Sequence, residues 1–273
     1  DRVVWEGETP YQFAQIVDDA QGERVLRLNE GWATHSIRPG ASGLVGGYWD
    51  RLLCLPSLIG REQGRLAVLG NAGGTTAVQY ARFWPGWTVD GVEIDPVISD
   101  LGYRYLGMRA ARLTLHTADA RPWLDRSDAR FDGIVVDAYR QPYIPFQLVT
   151  EEFFRSVRDH LAPGGAVMIN VGAPPGHDEA LNRIAGTMAD VFPVVEQAPA
   201  NAFNTVVWGF RDAGTTGTPP PAPLAPVCGA LAADATRIAP IDDPLTDDRA
   251  PIEWLTDTAL LSYLREGAPG AAR

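Results

Sequence analysis

The stretch VLGNAGGTT, residues 68–76, decides the fold because an apolar strand runs directly into a glycine-rich turn and the start of a helix. Small residues in such a turn let the backbone approach a ligand closely, and the first turn of the next helix offers free N–H groups. We expect the turn to bind a ligand through Gly70, Ala72, Gly73 and Gly74. Because many strand-to-helix turns carry several glycines, the nature of the ligand depends on the strand ends that follow.

Strands and helices alternate along the chain from residue 65 onward. The strand patterns are RLAVLG, TVDGVEID, RLTLHTAD, FDGIVVDAY, AVMINVG and NTVVWGF. The helical patterns between them are TTAVQYARFW, PVISDLGYRYLG, TEEFFRSVRDHLAPGG and HDEALNRIAGTMADVF. In the third helix Thr150 is the expected N-cap, and Gly164 is expected to follow the C-terminal end. This alternation predicts a parallel, doubly wound α/β sheet.

Acidic residues stand at the carboxyl ends of three of these strands, where open α/β sheets bind their ligands. Glu93 follows Gly70 by about 20 positions, the separation at which an acidic side chain binds ribose hydroxyls. Asp119, followed by the small Ala120, suits adenine recognition, and Asp137 ends the next strand. Each acid alone could be structural, as Glu93 could be by capping the following helix. Together they favour a nucleoside site.

The chain divides by composition into four parts. Residues 1–60 alternate in short runs broken by turns, which predicts a small antiparallel β unit and a connecting helix. Residues 61–212 hold the predicted nucleoside-binding domain, and residues 213–243, rich in proline and alanine, predict a linker. Residues 244–273 predict a turn and an amphipathic helix, and Asp247 and Asp248 either fold back over the cleft or cap that helix.

The charge and the cysteines exclude several classes of site. The net charge is −11, and all 23 basic residues are arginine, so neither Schiff-base chemistry nor a P-loop lysine is available. An acidic chain without a basic run is a poor nucleic-acid binder. Cys54 and Cys228 lie far apart in the sequence, which predicts two inert thiols, no disulfide and no metal site. No apolar run is long enough to span a membrane, and we expect a cytoplasmic location.

The motifs together resemble a known family. The turn sequence GNAGGT lacks the dinucleotide fingerprint, and its combination with VEID, TADA, FDGIVVDA and LAPGG resembles the class I S-adenosylmethionine-methyltransferase-like, Rossmann-like fold. TPYQFAQIV, LNEG, GYWDRLLCLPSLI, LGNAGGTT, VEIDPVI, LTLHTADARPWL, FDGIVVDAYRQP and FFRSVRDHLAPGG occur in the order seen in spermidine synthases, across roughly residues 9–172. The closing LTDDRAP resembles a bacterial branch in which a membrane-embedded region precedes this domain, so the resemblance implies such a region before Asp1.

The resemblance implies aminopropyl transfer from decarboxylated S-adenosylmethionine to an amine acceptor, commonly by a homodimer and without a metal. It implies that Glu93 binds ribose and that Asp119 and Ala120 bind adenine. The other implied cofactor- and acceptor-binding residues are Gln12, Tyr48, Asp50 and Asp137.

Departures from the family pattern leave the activity open. Arg140 replaces the last aspartate of the motif that begins at Asp137, and Gly73 replaces an aspartate that helps hold the aminopropyl amine. Asp137, Tyr139 or His35 could then serve as the base. Arg140 either turns outward to water or marks an acceptor site remodelled for an anionic or neutral molecule. Two other functions remain: methyl transfer from S-adenosylmethionine itself, and non-catalytic binding of a nucleoside or a partner.

Overall fold

The computed structural model describes residues 1–29, 33–110, 112–140 and 142–267, so part of the LNEG motif, Gln141 and residues 268–273 lie outside the described residues. The N-terminal part forms a four-stranded antiparallel sheet, as the sequence predicts. Its strands, in spatial order, are β1 (Arg2–Glu8), β2 (Phe13–Asp18), β3 (Arg24–Leu28) and β4 (Thr34–Ile37).

A second sheet of eight strands carries the rest of the chain. Its strands are β5 (Gln63–Leu69), β6 (Gly86–Glu93), β7 (Leu113–Thr117), β8 (Phe131–Val136), β9 (Leu161–Gly172), β10 (Val194–Pro199), β11 (Asn204–Phe210) and β12 (Thr236–Arg237). The spatial order is β12-β10-β11-β9-β8-β5-β6-β7. Strands β5 to β9 pair in parallel. From β5 the sheet grows to one side with β6 and β7 and to the other side with β8 and β9, so the strand order switches between β5 and β8. The predicted Rossmann-like, doubly wound fold is confirmed.

One edge of this sheet is antiparallel, which the sequence pattern did not indicate. Strand β11 runs antiparallel to β9, and β10 pairs antiparallel with β11. The turn between β10 and β11 is short, and a short turn can join only antiparallel neighbours, since a parallel crossover needs a dozen or more residues.

Nine helices are found in the described residues: α1 (Tyr48–Leu52), α2 (Leu55–Leu58), α3 (Thr75–Phe83), α4 (Pro96–Tyr105), α5 (Ala120–Asp125), α6 (Glu151–His160), α7 (Glu179–Val191), α8 (Ala225–Ala233) and α9 (Ile252–Arg265). Thr150 caps α6 as predicted, because its Oγ1 accepts a hydrogen bond from the Phe153 N–H at 3.3 Å. Gly164 follows the end of α6, as expected, but Leu161 and not Gly164 is the C-cap. Strand β9 begins at Leu161, directly after α6, so Gly164 lies inside that strand.

The N-terminal sheet packs on the helix that follows β6. Ile16 and Leu26 of that sheet are fully buried and belong to one apolar cluster with Ile98 and Leu101 of α4. Polar contacts add to this packing, since the Thr75 hydroxyl accepts from the Ile37 N–H at 2.8 Å and donates to the Ile37 carbonyl at 2.9 Å. The small sheet is therefore fixed beside the start of α3, directly over the glycine turn.

The two cysteines form a disulfide, so the prediction of inert thiols was wrong. Cys54 and Cys228 are separated by 174 positions in the sequence, and their Cα atoms lie 5.4 Å apart. No local spacing pattern marks such a pair. The segment that was expected to be a linker supplies α8, which packs against α1. Leu231 in α8 and Leu224, just before that helix, are fully buried. Disulfides are rare in cytosolic proteins, so this bond counts against the expected cytoplasmic location, which stays a prediction. Among the described helices, none is long and apolar enough to cross a bilayer.

We expect the disulfide to stabilise the fold by restricting the unfolded chain. Replacing both cysteines, Cys54→Ala with Cys228→Ala, should lower the free energy of unfolding by about 2–5 kcal/mol, measured by urea denaturation. A reductant should lower the denaturation midpoint of the natural sequence and leave that of the double variant unchanged. An unchanged midpoint for the natural sequence under reduction would show that the bond does not form.

Candidate active site

A cavity of about 820 Å³ opens at the carboxyl ends of β5, β6 and β8, beside the N-terminal sheet. It brings together most of the side chains singled out from the sequence. Those that line it are Gln12, His35, Tyr48, Gly70, Ala72, Glu93, Asp119, Ala120, Asp137, Tyr139 and Arg140. The expectation that the acidic strand ends gather at one edge therefore agrees with the structure, while the roles of the individual residues remain predictions.

Three of the expected site residues do not line the cavity. Asp50 is buried, and its carboxylate accepts hydrogen bonds from the Val45 and Gly46 N–H groups at 3.1 and 2.8 Å and from the Gln79 side chain at 2.7 Å. The other two are Gly73 and Gly74. A Cβ at Gly73 would collide with Leu106, and one at Gly74 with Met108. These three residues therefore support the backbone around the cavity and do not face a ligand in it.

Gly70 brings the glycine turn against the end of β8. Its φ is +92°, and a Cβ there would lie 2.5 Å from the carbonyl oxygen of Asp137. The Asp137 N–H donates to the Leu69 carbonyl at 2.8 Å, which holds the two strand ends in contact. Only glycine fits here, and its small size places Asp137 next to the turn.

Glu93 braces the same turn from the neighbouring strand. Its carboxylate accepts hydrogen bonds from the Ala72 N–H at 2.8 Å and from the Asp95 N–H at 3.0 Å. Burial raises the pKa of Glu93 to about 7, against the opposing effect of these N–H donors. The alternative in which Glu93 caps α4 is not what the structure shows, because the Asp95 side chain caps that helix by accepting from the Val97 N–H at 3.0 Å.

Asp137 is held in a defined orientation at the end of β8. The Asn170 side-chain amide donates to its carboxylate at 3.1 Å, and the Tyr48 hydroxyl donates to it as well. Asn170 is itself oriented by the Asn204 side chain, which donates to its Oδ1 at 3.0 Å. Burial raises the pKa of Asp137 to about 7, although both donors act in the opposite direction. A carboxylate with that pKa can take up a proton near neutral pH.

Two tyrosines stand beside Asp137 and stay neutral. Burial, with the nearby charge of Asp137, raises the pKa of both Tyr48 and Tyr139. The Tyr139 hydroxyl donates to the Asn170 carbonyl at 3.0 Å and accepts from the Gly172 N–H at 2.8 Å. These contacts favour a positioning role for Tyr139 over a role as the base.

Asp119 caps the short helix α5, since its carboxylate accepts from the Arg121 N–H at 3.4 Å. Arg121 in turn binds both carboxylate oxygens of Asp247 at 2.7 Å and the Gln147 carbonyl at 3.0 Å. Asp247 also accepts from the Thr150 hydroxyl at 2.7 Å. It therefore fastens the loop after β8 to the cavity wall, and does not cap α9, which begins after Pro251.

Sequence reasoning missed the residues at the outer end of the cavity. Tyr143 and Gln147, from the loop after β8, and Glu253, from the first turn of α9, line it. The unusual length of that loop at a strand end was a usable signal for the first two. No pattern marks Glu253, which reaches the cavity only by packing of the last helix. Within the described ranges, no group of three or more histidine, cysteine or acidic residues is placed to hold a metal ion.

The close approach at Gly70 can be tested against a matched glycine. Gly176 also has a positive φ, +82°, but a Cβ there would meet nothing within 4 Å. We expect Gly176→Ala to lose only the cost of the left-handed backbone, about 1–2 kcal/mol. Gly70→Ala should cost about 1–3 kcal/mol more, because it adds a collision with β8. Equal losses in urea denaturation would contradict the contact.

The raised pKa values also predict how stability depends on pH. The pKa of Asp137 rises from 3.8 to about 7 and that of Glu93 from 4.5 to about 7. A raised folded-state pKa stabilises the fold at low pH, and this contribution is lost as the pH rises from about 4 towards 7. Asp137→Asn should remove its share, so the variant should gain stability relative to the natural sequence as the pH rises. The exposed Asp159→Asn is the control; parallel pH profiles for Asp137→Asn and the natural sequence would exclude a raised pKa at Asp137.

Comparisons with known proteins agree with this geometry. Residues 51–211, more than half of the chain, match the spermine/spermidine synthase domain. A probable polyamine aminopropyl transferase from Bifidobacterium longum is 34% identical over 204 residues, which cover 74% of this chain and 45% of that protein. Putrescine N-methyltransferase 2 from Nicotiana tabacum is 25% identical over 199 residues, which cover 70% of this chain and 54% of that protein. The chain thus spans about half the length of these relatives.

The fold has a counterpart among solved structures. A probable spermidine synthase from Corynebacterium glutamicum superposes with a TM-score of 0.71 at 18% identity, over 95% of this chain and 94% of that one. At this identity the likeness concerns the fold, whereas the family follows from the domain match. The chain belongs to the spermine/spermidine synthase family.

Proposed function

We propose that this chain is an aminopropyltransferase that uses decarboxylated S-adenosylmethionine as donor and a small amine as acceptor. The observation that carries the proposal is the carboxyl group of Asp137, oriented by Asn170 and Tyr48 and with a pKa near 7, in the same cavity as the turn braced by Glu93. Membership of the family supports it, as does the name of the Bifidobacterium relative.

The lining of the cavity supports binding of the nucleoside part of the donor. Glu93 offers carboxylate oxygens for ribose hydroxyls, and Gly70 and Ala72 leave the floor without bulky side chains. Asp119 and the N–H of Ala120 suit the amino group and ring nitrogen of adenine. Apolar residues supply walls for the ring; these are Val92, Ile94, Ile98, Ala118 and Leu148.

The chemistry requires an uncharged amine next to an electrophilic carbon. The bound donor supplies an aminopropyl carbon attached to a sulfonium; the amine nitrogen bonds to that carbon, the C–S bond breaks with its electron pair going to sulfur, and methylthioadenosine leaves. Asp137 accepts the proton that the amine loses. Tyr48 and Asn170 keep the carboxylate aimed into the cavity, and its pKa near 7 suits proton transfer at neutral pH. Positioning of the amine against the donor carbon supplies the rest of the rate enhancement.

Methyl transfer from S-adenosylmethionine is the second candidate. No carboxylate stands at Gly73, where the family resemblance expects one for the aminopropyl amine, and a side chain there would collide with Leu106. The tobacco relative is named a putrescine N-methyltransferase. Calorimetry with both sulfonium compounds separates the two functions, because aminopropyl transfer requires preference for the decarboxylated form. If neither compound binds, a non-catalytic role remains.

Asp137→Asn tests the proposed base. We expect methylthioadenosine release to fall by about 10²–10⁴-fold, which is the usual contribution of a general base. In the natural sequence kcat/KM should rise with pH and level off above the pKa of Asp137, about 7. That break should be absent from the variant, while Asp159→Asn should behave as the natural sequence does. An unchanged rate in Asp137→Asn would show that the base lies elsewhere.

A further inference from the structure

The outer end of the cavity is built by the loop after β8 and by the first turn of α9. The backbones of Arg140 and Tyr143 are joined by two hydrogen bonds, of 2.8 and 3.0 Å. The Tyr143 hydroxyl donates to the Asp257 carboxylate of α9 at 2.7 Å. Asp257 and, more weakly, Glu253 raise the pKa of Tyr143, so Glu253 lies within electrostatic reach of that ring. Arg140, Tyr143 and Glu253 all line the cavity.

Among the described residues, the Arg140 and Glu253 side chains differ from Asp247 and Asp257 in having no hydrogen-bond or ion-pair partner. Asp247 is neutralised by Arg121, and Asp257 accepts from Tyr143. In the described part of the chain, neither the Arg140 guanidinium nor the Glu253 carboxylate takes part in a hydrogen bond or ion pair with another side chain, and both are exposed. The outer end of the cavity therefore presents an unpaired cation, Arg140, and an unpaired anion, Glu253, to an entering ligand.

Resting on the proposed function, we propose that the acceptor is an α,ω-diamino acid and not a simple diamine. Its carboxylate pairs with the planar fork of Arg140, and its α-ammonium pairs with Glu253. The amine at the far end of its chain then extends inward to Asp137. A simple diamine could pair its second ammonium with Glu253, but it has no carboxylate for Arg140, so its ammonium would lie near an uncompensated like charge.

The reaction balances as ordinary alkylation of an amine. The distal nitrogen forms a bond to the aminopropyl carbon, and the C–S bond breaks with its electron pair remaining on sulfur. The proton lost from nitrogen passes to Asp137 and from there to solvent. The products are an N-aminopropyl diamino acid, methylthioadenosine and a proton, and no further reactant is needed.

Two commercial pairs of amines isolate the carboxylate. Ornithine and putrescine differ only in that group, as do lysine and cadaverine. We expect ornithine or lysine to exceed its decarboxylated partner by tenfold or more in kcat/KM for methylthioadenosine release, a ratio typical of one charge-assisted pair. Calorimetry of the same amines with protein saturated with methylthioadenosine should show the same order of affinity.

Variants at the mouth assign the effect to the two side chains. Arg140→Gln should abolish the preference for the amino acid in both assays and leave methylthioadenosine binding unchanged. Glu253→Gln should weaken binding of the amino acid, chiefly through KM. The exposed Arg126→Gln, which lies outside the cavity, is the matched control and should keep the preference.

The outcomes separate this inference from the proposed function. If putrescine is used as well as ornithine, or if Arg140→Gln leaves their ratio unchanged, the diamino-acid assignment is wrong and aminopropyl transfer stands. If no amine releases methylthioadenosine, the proposed function fails, and calorimetry then decides the acceptor class. Binding of ornithine that is lost in Arg140→Gln supports the assignment, and tighter or equal binding of putrescine overturns it.

Discussion

The contact between Gly70 and the end of β8 is the constraint on which the site depends. In a doubly wound sheet the ligand-binding crevice lies at the point where the strand order switches from one side to the other. Here that point lies between β5 and β8. Because a Cβ at Gly70 would lie 2.5 Å from the Asp137 carbonyl oxygen, the turn and the strand end touch through backbone alone. Asp137 is thereby set beside a turn whose other side is fixed by Glu93 through the Ala72 N–H.

This arrangement places two carboxyl groups where burial disfavours their charged forms. Both have a pKa raised to about 7, which lowers the stability of the fold at neutral pH. The surrounding structure holds them in place, through backbone N–H donors at Glu93 and through Asn170 and Tyr48 at Asp137. Burial thus leaves two carboxyl groups with a pKa of about 7, a kind of perturbation that is common at functional sites.

The disulfide and the last helix hold different parts of the cavity wall in place. Cys54 lies two residues beyond the end of α1, the helix that begins at Tyr48, so its bond to Cys228 secures the element that carries the hydroxyl on Asp137. At the other end, α9 meets the loop after β8 through Tyr143 and Asp257 and brings Glu253 to the mouth. The inner wall is thus fastened covalently, whereas the outer end is held by a polar contact near the surface.

The sequence by itself determined the alternation of strands and helices, the glycine turn and the acidic strand ends. These are local patterns, and the rule that parallel strands carry ligands at their carboxyl ends converts them into a shared site. The family resemblance added Gln12 and Tyr48, which no local pattern distinguishes, and both line the cavity. The apolar pattern did not indicate that β11 is antiparallel to its neighbours, which follows from the short turn between β10 and β11.

Only the tertiary structure decided which polar residues face the cavity and which support it. Asp50 is bound by three donors behind the cavity, and the glycine at position 73 meets Leu106 and not the ligand space. The disulfide joins Cys54 to Cys228, and the cavity brings Glu253 together with Tyr143; in both cases the residues are more than 100 positions apart in the sequence. Such contacts arise when whole helices and strands pack together, and contacts between residues so far apart produce no periodic pattern in the sequence.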